Sequence, residues 1–197
     1  MKSLETRTAE RISEEMGFSI EKGSSGHYCL KIWGRFPPTW IGSLSSGLSR
    51  NLISIISGSA KKEKTHWQAE FEIMATPQAP DAKRIDYLAL ALEGPASHPP
   101  VTISLDAFVI DNMPGKHDGA LYLEVKAADQ IGFLGALLNR LAYYTLFPES
   151  MIIETVNNSI LDRFRIKGLG GQFPSDASIK TLRQKLESFL VDKPRKE

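Results

Sequence analysis

The sequence predicts an α+β chain made of one small plait copied twice, and three observations predict it. The first is an internal repeat: Leu30, Ile32, Ile41, Leu44 and Leu48 fall over Leu123, Val125, Leu134, Leu137 and Leu141 at one spacing (134 − 41 = 93). Phe71 and Ile73 fall over Phe164 and Ile166 in the same register, and a match that spans most of two units marks a duplication. The second is a change of hydrophobic period within each copy, from two to about 3.6 and back, which reads as strand, helix, strand, strand, helix. The third is bulk: 197 residues at 42% hydrophobic content can bury a sizeable core.

Residues 1–20 read as an extension with a short amphipathic helix (Leu4, Ala9, Ile12, Met16). The first unit is expected over 26–112. It opens with the alternating run His27–Trp33, continues through the apolar helical stripe Ile41, Leu44 and Leu48, and returns as a hairpin turned by "AKKEKT". In its third strand Trp67, Ala69, Phe71 and Ile73 alternate with Gln68, Glu70 and Glu72. A second helix carries Ile85, Leu88 and Leu92, set over Ile179, Leu182 and Leu186 by a slip of one position. The run "VTISLDAFVI" is expected as a fourth strand of this unit, with Val101, Ile103, Leu105, Ala107 and Val109 on one face, and "DNMPGKHDG" as a linker.

The second unit is expected over 119–192. Leu121, Leu123, Val125 and Ala127 alternate with Tyr122, Glu124 and Lys126, a strand ending at Ala128. Phe133, Leu134, Leu137, Leu138 and Leu141 form one helical face, so a helix opens near Gly132. Two extended runs flank Asn157 and Asn158, which tolerate the turn of a hairpin. Ser175 or Asp176 caps a last helix. After Val191 only the tail remains (193–197), so this unit lacks a final strand. Strand, helix, strand, strand, helix, with both helices on one face of an antiparallel sheet, is the ferredoxin-like plait, here twice in tandem.

The stretch from Ala127 to Ile166 resembles the ACT domain, in particular the subtype at the carboxyl end of nitrogen-sensing uridylyltransferases. Asp129, Gly132, Leu134, Thr155, Asp162 and Phe164 occupy the positions of that family's Asp-x-x-Gly turn, leucine-rich helix, Thr and Asp-x-Phe. The tandem arrangement is similar to stand-alone regulators of the glycine-cleavage repressor type. The resemblance implies a regulatory protein in which a small ligand, often an amino acid, binds where the turn between first strand and first helix faces a neighbouring ACT unit. It places the candidate ligand site at Asp129, Gln130, Ile131, Gly132, Phe133 and Leu134.

The residues of that turn suit an amino acid on physical grounds. A helix amino terminus presents unpaired N–H groups and a partial positive charge to a carboxylate. Gly132 lets a ligand or a neighbouring segment come close, and Asp129 can cap the helix or accept an ammonium group. The plain alternative is a cap and a packing glycine with no ligand. The corresponding turn of the first unit, "GRFPPTWIG", has Phe36 for Asp129 and Thr39 for Gly132, and Pro37 and Pro38 remove two donors. A packing role is expected there, with Trp40 covering the neighbouring surface.

Other function classes are weak. With 24 Lys+Arg against 23 Asp+Glu there is no electrostatic footprint for nucleic acid, and the strands lack the aromatic and basic signature of an RNA-binding plait. The start is too polar for a signal peptide and no run suits a membrane span, so a cytoplasmic protein is expected. Cys29 is expected as a buried thiol, the four His show no metal-binding spacing, and "KGLGGQF" lacks the ending of a phosphate loop. Asp162 is expected to face solvent or a cross-strand Arg. No enzyme, metal or cofactor is implied. The partners implied are an amino-acid ligand, the facing unit of the same chain, a second copy in a homodimer, and an unidentified regulated protein. A purely structural interaction module is the competing reading.

Overall fold

The structure is a computed structural model, and it describes residues 16–24, 26–94, 101–113 and 115–191. Among these residues the elements are β1 (Gly17–Lys22), β2 (His27–Gly34), α1 (Trp40–Arg50), β3 (Ile53–Glu63), β4 (His66–Ala75), α2 (Tyr87–Leu92), β5 (Ala107–Asp111), β6 (Leu121–Ala128), α3 (Phe133–Tyr143), β7 (Phe147–Val156), β8 (Ser159–Lys167) and α4 (Asp176–Glu187). All eight strands join in one sheet of order β1-β2-β4-β3-β7-β8-β6-β5, and every pairing is antiparallel. The architecture is α+β.

The repeat in the sequence is a repeat in the backbone. Helices α1 and α3 each have 11 residues and begin 93 positions apart (133 − 40). Left-handed residues recur at the same spacing, Leu52 with Thr145 after the two helices and Lys64 with Asn157 in the two hairpin turns. The halves meet at β3 and β7, where Ser57, Ser59 and Lys61 lie opposite Glu154, Ile152 and Ser150. Ser59 thus faces its own counterpart (152 − 59 = 93), and the junction has local twofold symmetry. The same axis passes between α1 and α3. Asn139 Nδ2 donates to its counterpart Ser46 Oγ at 3.4 Å, and a Cβ on Gly42 or on its counterpart Gly135 would come within 2.8 Å of Asn139 Oδ1 or Ser46 Oγ. Glycine at both positions lets the helices cross closely.

Alternation puts the apolar side chains of the strands on the helix side. Leu30, Ile32, Phe71 and Ile73 from one half and Leu121, Leu123, Val125, Phe164 and Ile166 from the other are all buried, in one cluster with Leu44, Leu48, Leu137 and Leu141 of the helices. The opposite face carries Lys31, Gln68, Glu70, Lys61 and Lys126, all exposed. Arg163 bridges Glu154 (2.7 Å) and Glu124 (3.3 Å). Cys29 lies half-buried on this polar face beside Glu70 Oε1 (3.3 Å), not in the core as expected. Burial, the Glu70 hydrogen bond and its charge raise the thiol's pKa.

The structure corrects the strand assignment. The run 101–110 does not complete the first half: its phase reverses between Leu105, which is buried, and Phe108, which turns inward while Ala107 and Val109 are exposed. Only Ala107–Asp111 is a strand, and it pairs with β6 of the second half. The segment 112–120 is therefore the connection of a β5–β6 hairpin. Asp111 accepts from Lys116 Nζ (2.8 Å), His117 Nε2 (3.1 Å) and the Met113 N–H (3.1 Å), contacts that hold its carboxyl well below the usual range. The final strand judged missing from the second half is supplied from before it. In the first half β1, which begins in the stretch read as an extension and runs two residues past it, takes the equivalent place beside β2. Of the expected amino-terminal helix, 1–15 lie outside the described residues, and Met16 is an exposed residue ahead of β1.

Helix α2 is also set differently. Tyr87 and Ala91 are its buried positions and Leu92 is exposed, so α2 matches Leu182 and Leu186 by a slip of two positions (182 − 87 = 95) instead of one. Asp86 caps α2 by accepting the Ala89 N–H (3.0 Å), and Ser175 caps α4 by accepting the Ser178 N–H (3.2 Å).

Candidate functional site

Strand β6 ends at Ala128, and the chain then turns through Asp129 to Gly132 into α3. The Asp129 N–H donates to the Asn158 carbonyl (2.9 Å) and the Phe133 N–H to that of Gln130 (3.0 Å). Gly132 is the N-cap, in the left-handed conformation at φ 88°, and no side chain caps the helix. Asp129 is therefore not the cap, and its exposed carboxylate is free of that role. The first full helical bond runs from the Ala136 N–H to the Gly132 carbonyl (3.0 Å), which leaves the Leu134 and Gly135 N–H groups at the helix opening.

The close approach that Gly132 permits is made within the chain. A Cβ there would lie 2.9 Å from Ser49 Oγ of α1 and 3.1 Å from Val101 Cγ2. The turn of the second half thus rests on the helix of the first, and between them lies a crevice of about 30 Å³. All six residues from Asp129 to Leu134 line it, although Phe133 and Leu134 are largely core side chains. Ser45 of α1 and Ile53, Ser54 and Ile55 of β3 line the opposite wall, and Ile153, Thr155, Ile160 and Asp162 form the floor.

Asp162 is the residue that sequence reasoning misplaced. It sits on the inward face of β8, 1% exposed, and its neighbour Arg163 takes the outward position with the glutamate partners. Asp162 Oδ1 has no hydrogen-bond partner, nor has the buried Thr155 Oγ1. Burial pushes the Asp162 carboxyl up to about 7. The Glu154 backbone N–H works against the shift, and the charges of Asp129 and Glu154 add to it. The alternation of "ILDRFRIK" placed Asp162 in phase with Ile160, Phe164 and Ile166, so the signal was in the sequence. The facing wall, Ser45 and Ile53–Ile55, carried no signal, because only the pairing of β3 with β7 brings it there.

The symmetry-related crevice is a different object. It lies between the Pro38–Thr39 turn and Leu138, Leu146 and Pro148 of the second half, measures about 10 Å³ and has no charged lining residue. Phe36, the counterpart of Asp129, stacks on Trp40 at 4.6 Å, and Trp40 meets Trp67 edge-on at 5.5 Å. Trp40 is fully buried, so it fills its own half and does not cover an outer surface. Ala69 stands where Asp162 does. One crevice is smaller and without charge, beside a turn backed by packed aromatic rings, and the other is lined by carboxylates and a helix opening.

Among the described residues no group of three or more His, Cys, Asp or Glu side chains could hold a metal ion, and no helix is long and apolar enough to cross a membrane. The glycine-rich "KGLGGQF" forms a short turn between β8 and α4, closed by the Gly168 N–H on the Gln172 carbonyl (2.7 Å). No protein-family model matches the chain, and no curated protein sequence matches it.

Proposed function

We propose that the chain is a non-enzymatic regulatory protein whose two ferredoxin-like, ACT-type units hold a small amino-acid ligand between them and signal its presence to a protein partner. Each half of the sheet has the strand neighbours of such a plait, with the outer strand entering ahead of its unit instead of behind it. The observation that carries the functional reading is the asymmetry of the two junctions. A duplicated protein that needed only internal packing could line both crevices alike; the one at Pro38–Thr39 is smaller and uncharged, whereas the other retains an exposed Asp129, an uncapped helix opening and a buried Asp162 whose Oδ1 has no donor.

The site is assembled from both halves, so a ligand there stabilises their pairing, which is the change a partner can read. Helix N–H groups suit a carboxylate and Asp129 an ammonium group. A cytoplasmic location accords with a single, unpaired Cys29. The outer strands β1 and β5 each leave an edge at which a second copy could pair. The structural-module reading draws on the small size of the crevice, about 30 Å³, which a ligand must widen to enter.

A thermal-shift screen of the twenty amino acids followed by calorimetric titration tests the proposal. Because Asp129 caps nothing, Asp129→Ala is expected to leave the melting temperature unchanged while weakening affinity about ten- to a hundredfold, the value of a lost charge-assisted hydrogen bond of roughly 1.5 to 3 kcal/mol. No response to any amino acid in the unmodified chain would favour the structural module.

A further inference from the structure

The crevice contains a carboxyl group that the fold does not need. Position 69, the counterpart of Asp162 in the first half, is Ala69, and β4 pairs on both sides as β8 does. Among the described residues, the only charged side chains lining the crevice are Asp129 and Asp162. The titratable group facing Asp162 across the crevice is Asp129 from the turn, Glu154 of β7 acts on it by its charge from the other face and by its backbone N–H, and α1 and β3 contribute only Ser45, Ser54 and apolar atoms. Glu154 is already held by Arg163 on the other face.

This arrangement discriminates between ligand classes. A lone anion meets the negative charge of Asp129 at the crevice and is repelled. An apolar group leaves Asp162 Oδ1 and Thr155 Oγ1 without donors in a dry site, a costly outcome. A primary ammonium head brings three donors and a positive charge, enough for Asp162, Thr155 and Asp129 together. A carboxylate on the same molecule then lies toward the N–H groups at the start of α3.

Resting on the ligand-site reading above, we propose that Asp162 is the buried acceptor for the ammonium head of a small primary amine, and that binding expels the proton from the Asp162 carboxyl to solvent. The step is a simple exchange: the O–H bond of the acid breaks, the proton leaves with water, and the carboxylate accepts an N–H from the amine, which stays protonated. The balance is available near neutrality because burial sets the carboxyl at about 7 in the empty site, and an adjacent cation draws it down. Sequence reasoning set Asp162 toward solvent or a cross-strand Arg, so the role appears only once its burial is seen.

The probes are glycine, L-alanine, L-serine and methylammonium, with acetate as the amine-free control, titrated into the full chain by calorimetry in two buffers of different ionisation enthalpy. At least one amine is expected to bind where acetate does not, with roughly half a proton released at pH 7 and affinity rising about tenfold per pH unit below the titration of Asp162. Asp162→Asn is expected to lose at least about tenfold in affinity and all proton release. Asp162→Ala, which copies the first half, guards against a folding artefact. Binding by an amino acid with unchanged affinity in both variants, or with no proton released, overturns the role of Asp162 while leaving the site. Failure of every probe and of all twenty amino acids on the unmodified chain overturns both.

Discussion

At Asp162 the demands of folding and of binding oppose one another. The ordinary carboxyl titrates near 3.8 and this one near 7, so between those values the folded state holds a proton that the unfolded state has lost. Stability therefore falls as pH rises from about 4 to about 7, and above that the full cost of a buried charge remains, on the order of 2 to 4 kcal/mol. Asp162→Asn is expected to raise the melting temperature at pH 8 and to leave it nearly unchanged at pH 4, as thermal unfolding by circular dichroism across that range would show. A variant that is no more stable at pH 8 would mean that the carboxylate has a compensating partner. Gly132 is constrained in the other sense. With φ at 88° and Ser49 Oγ 2.9 Å from where a Cβ would sit, Gly132→Ala is expected to cost about 1 to 3 kcal/mol, whereas Thr39→Val, at an ordinary φ of −93°, should cost little. Substitution at Gly132 thus tests folding first, and Asp129→Ala is the cleaner probe of the site.

At the scale of elements, the crossing of α1 and α3 decides how closely the halves approach. Ala in place of Gly gains up to about 1 kcal/mol of helix propensity, so the sign at each crossing glycine depends on what the methyl group meets. At Gly42 the obstacle is the end of the Asn139 side chain, which can rotate; at Gly135 it includes the Ser46 backbone nitrogen at 3.1 Å, which cannot. Gly42→Ala is expected to be neutral or slightly stabilising and Gly135→Ala destabilising by about 1 to 2 kcal/mol, read from the denaturant midpoints of the two variants. The elements also show which parts of the fold were legible. Strands β2, β4, β6 and β8 and helices α1 and α3 were readable because each buries one face, and that leaves a period in the sequence. β1 has only six residues and was hidden behind an apparent helical stripe. β5 was read with the wrong partner, because alternation reports which side chains turn inward and is silent about which edge a strand joins. The Asp129–Gly132 half of the candidate site came from the family resemblance, with which local turn chemistry is compatible, while its other wall depends on the pairing of β3 with β7, where Ser59 meets Ile152, 93 positions on.

Across the whole molecule, the continuous sheet and the single apolar cluster imply that the halves unfold together. Five registered pairs join β3 to β7, and the core runs without a break from Leu30 to Leu186. The three tryptophans, Trp33, Trp40 and Trp67, all lie in the first half, so their fluorescence reports that half alone, whereas far-ultraviolet circular dichroism reports both. The two signals are expected to give one coincident transition in urea. Gly58 offers a way to stress the junction. It follows the irregularity of β3 between Ile55 and Ser57, pairs with Ile153 across the junction, and has φ of 152°. A Cβ there would lie 2.4 Å from the Glu70 carbonyl oxygen, a backbone atom that cannot swing away. Gly58→Ala is expected to lower stability by about 2 kcal/mol or more and to shift the tryptophan and dichroism curves by the same amount. If the fluorescence transition moved alone, the first half would be yielding while the second stood, and a ligand at their junction could not act by holding the two together.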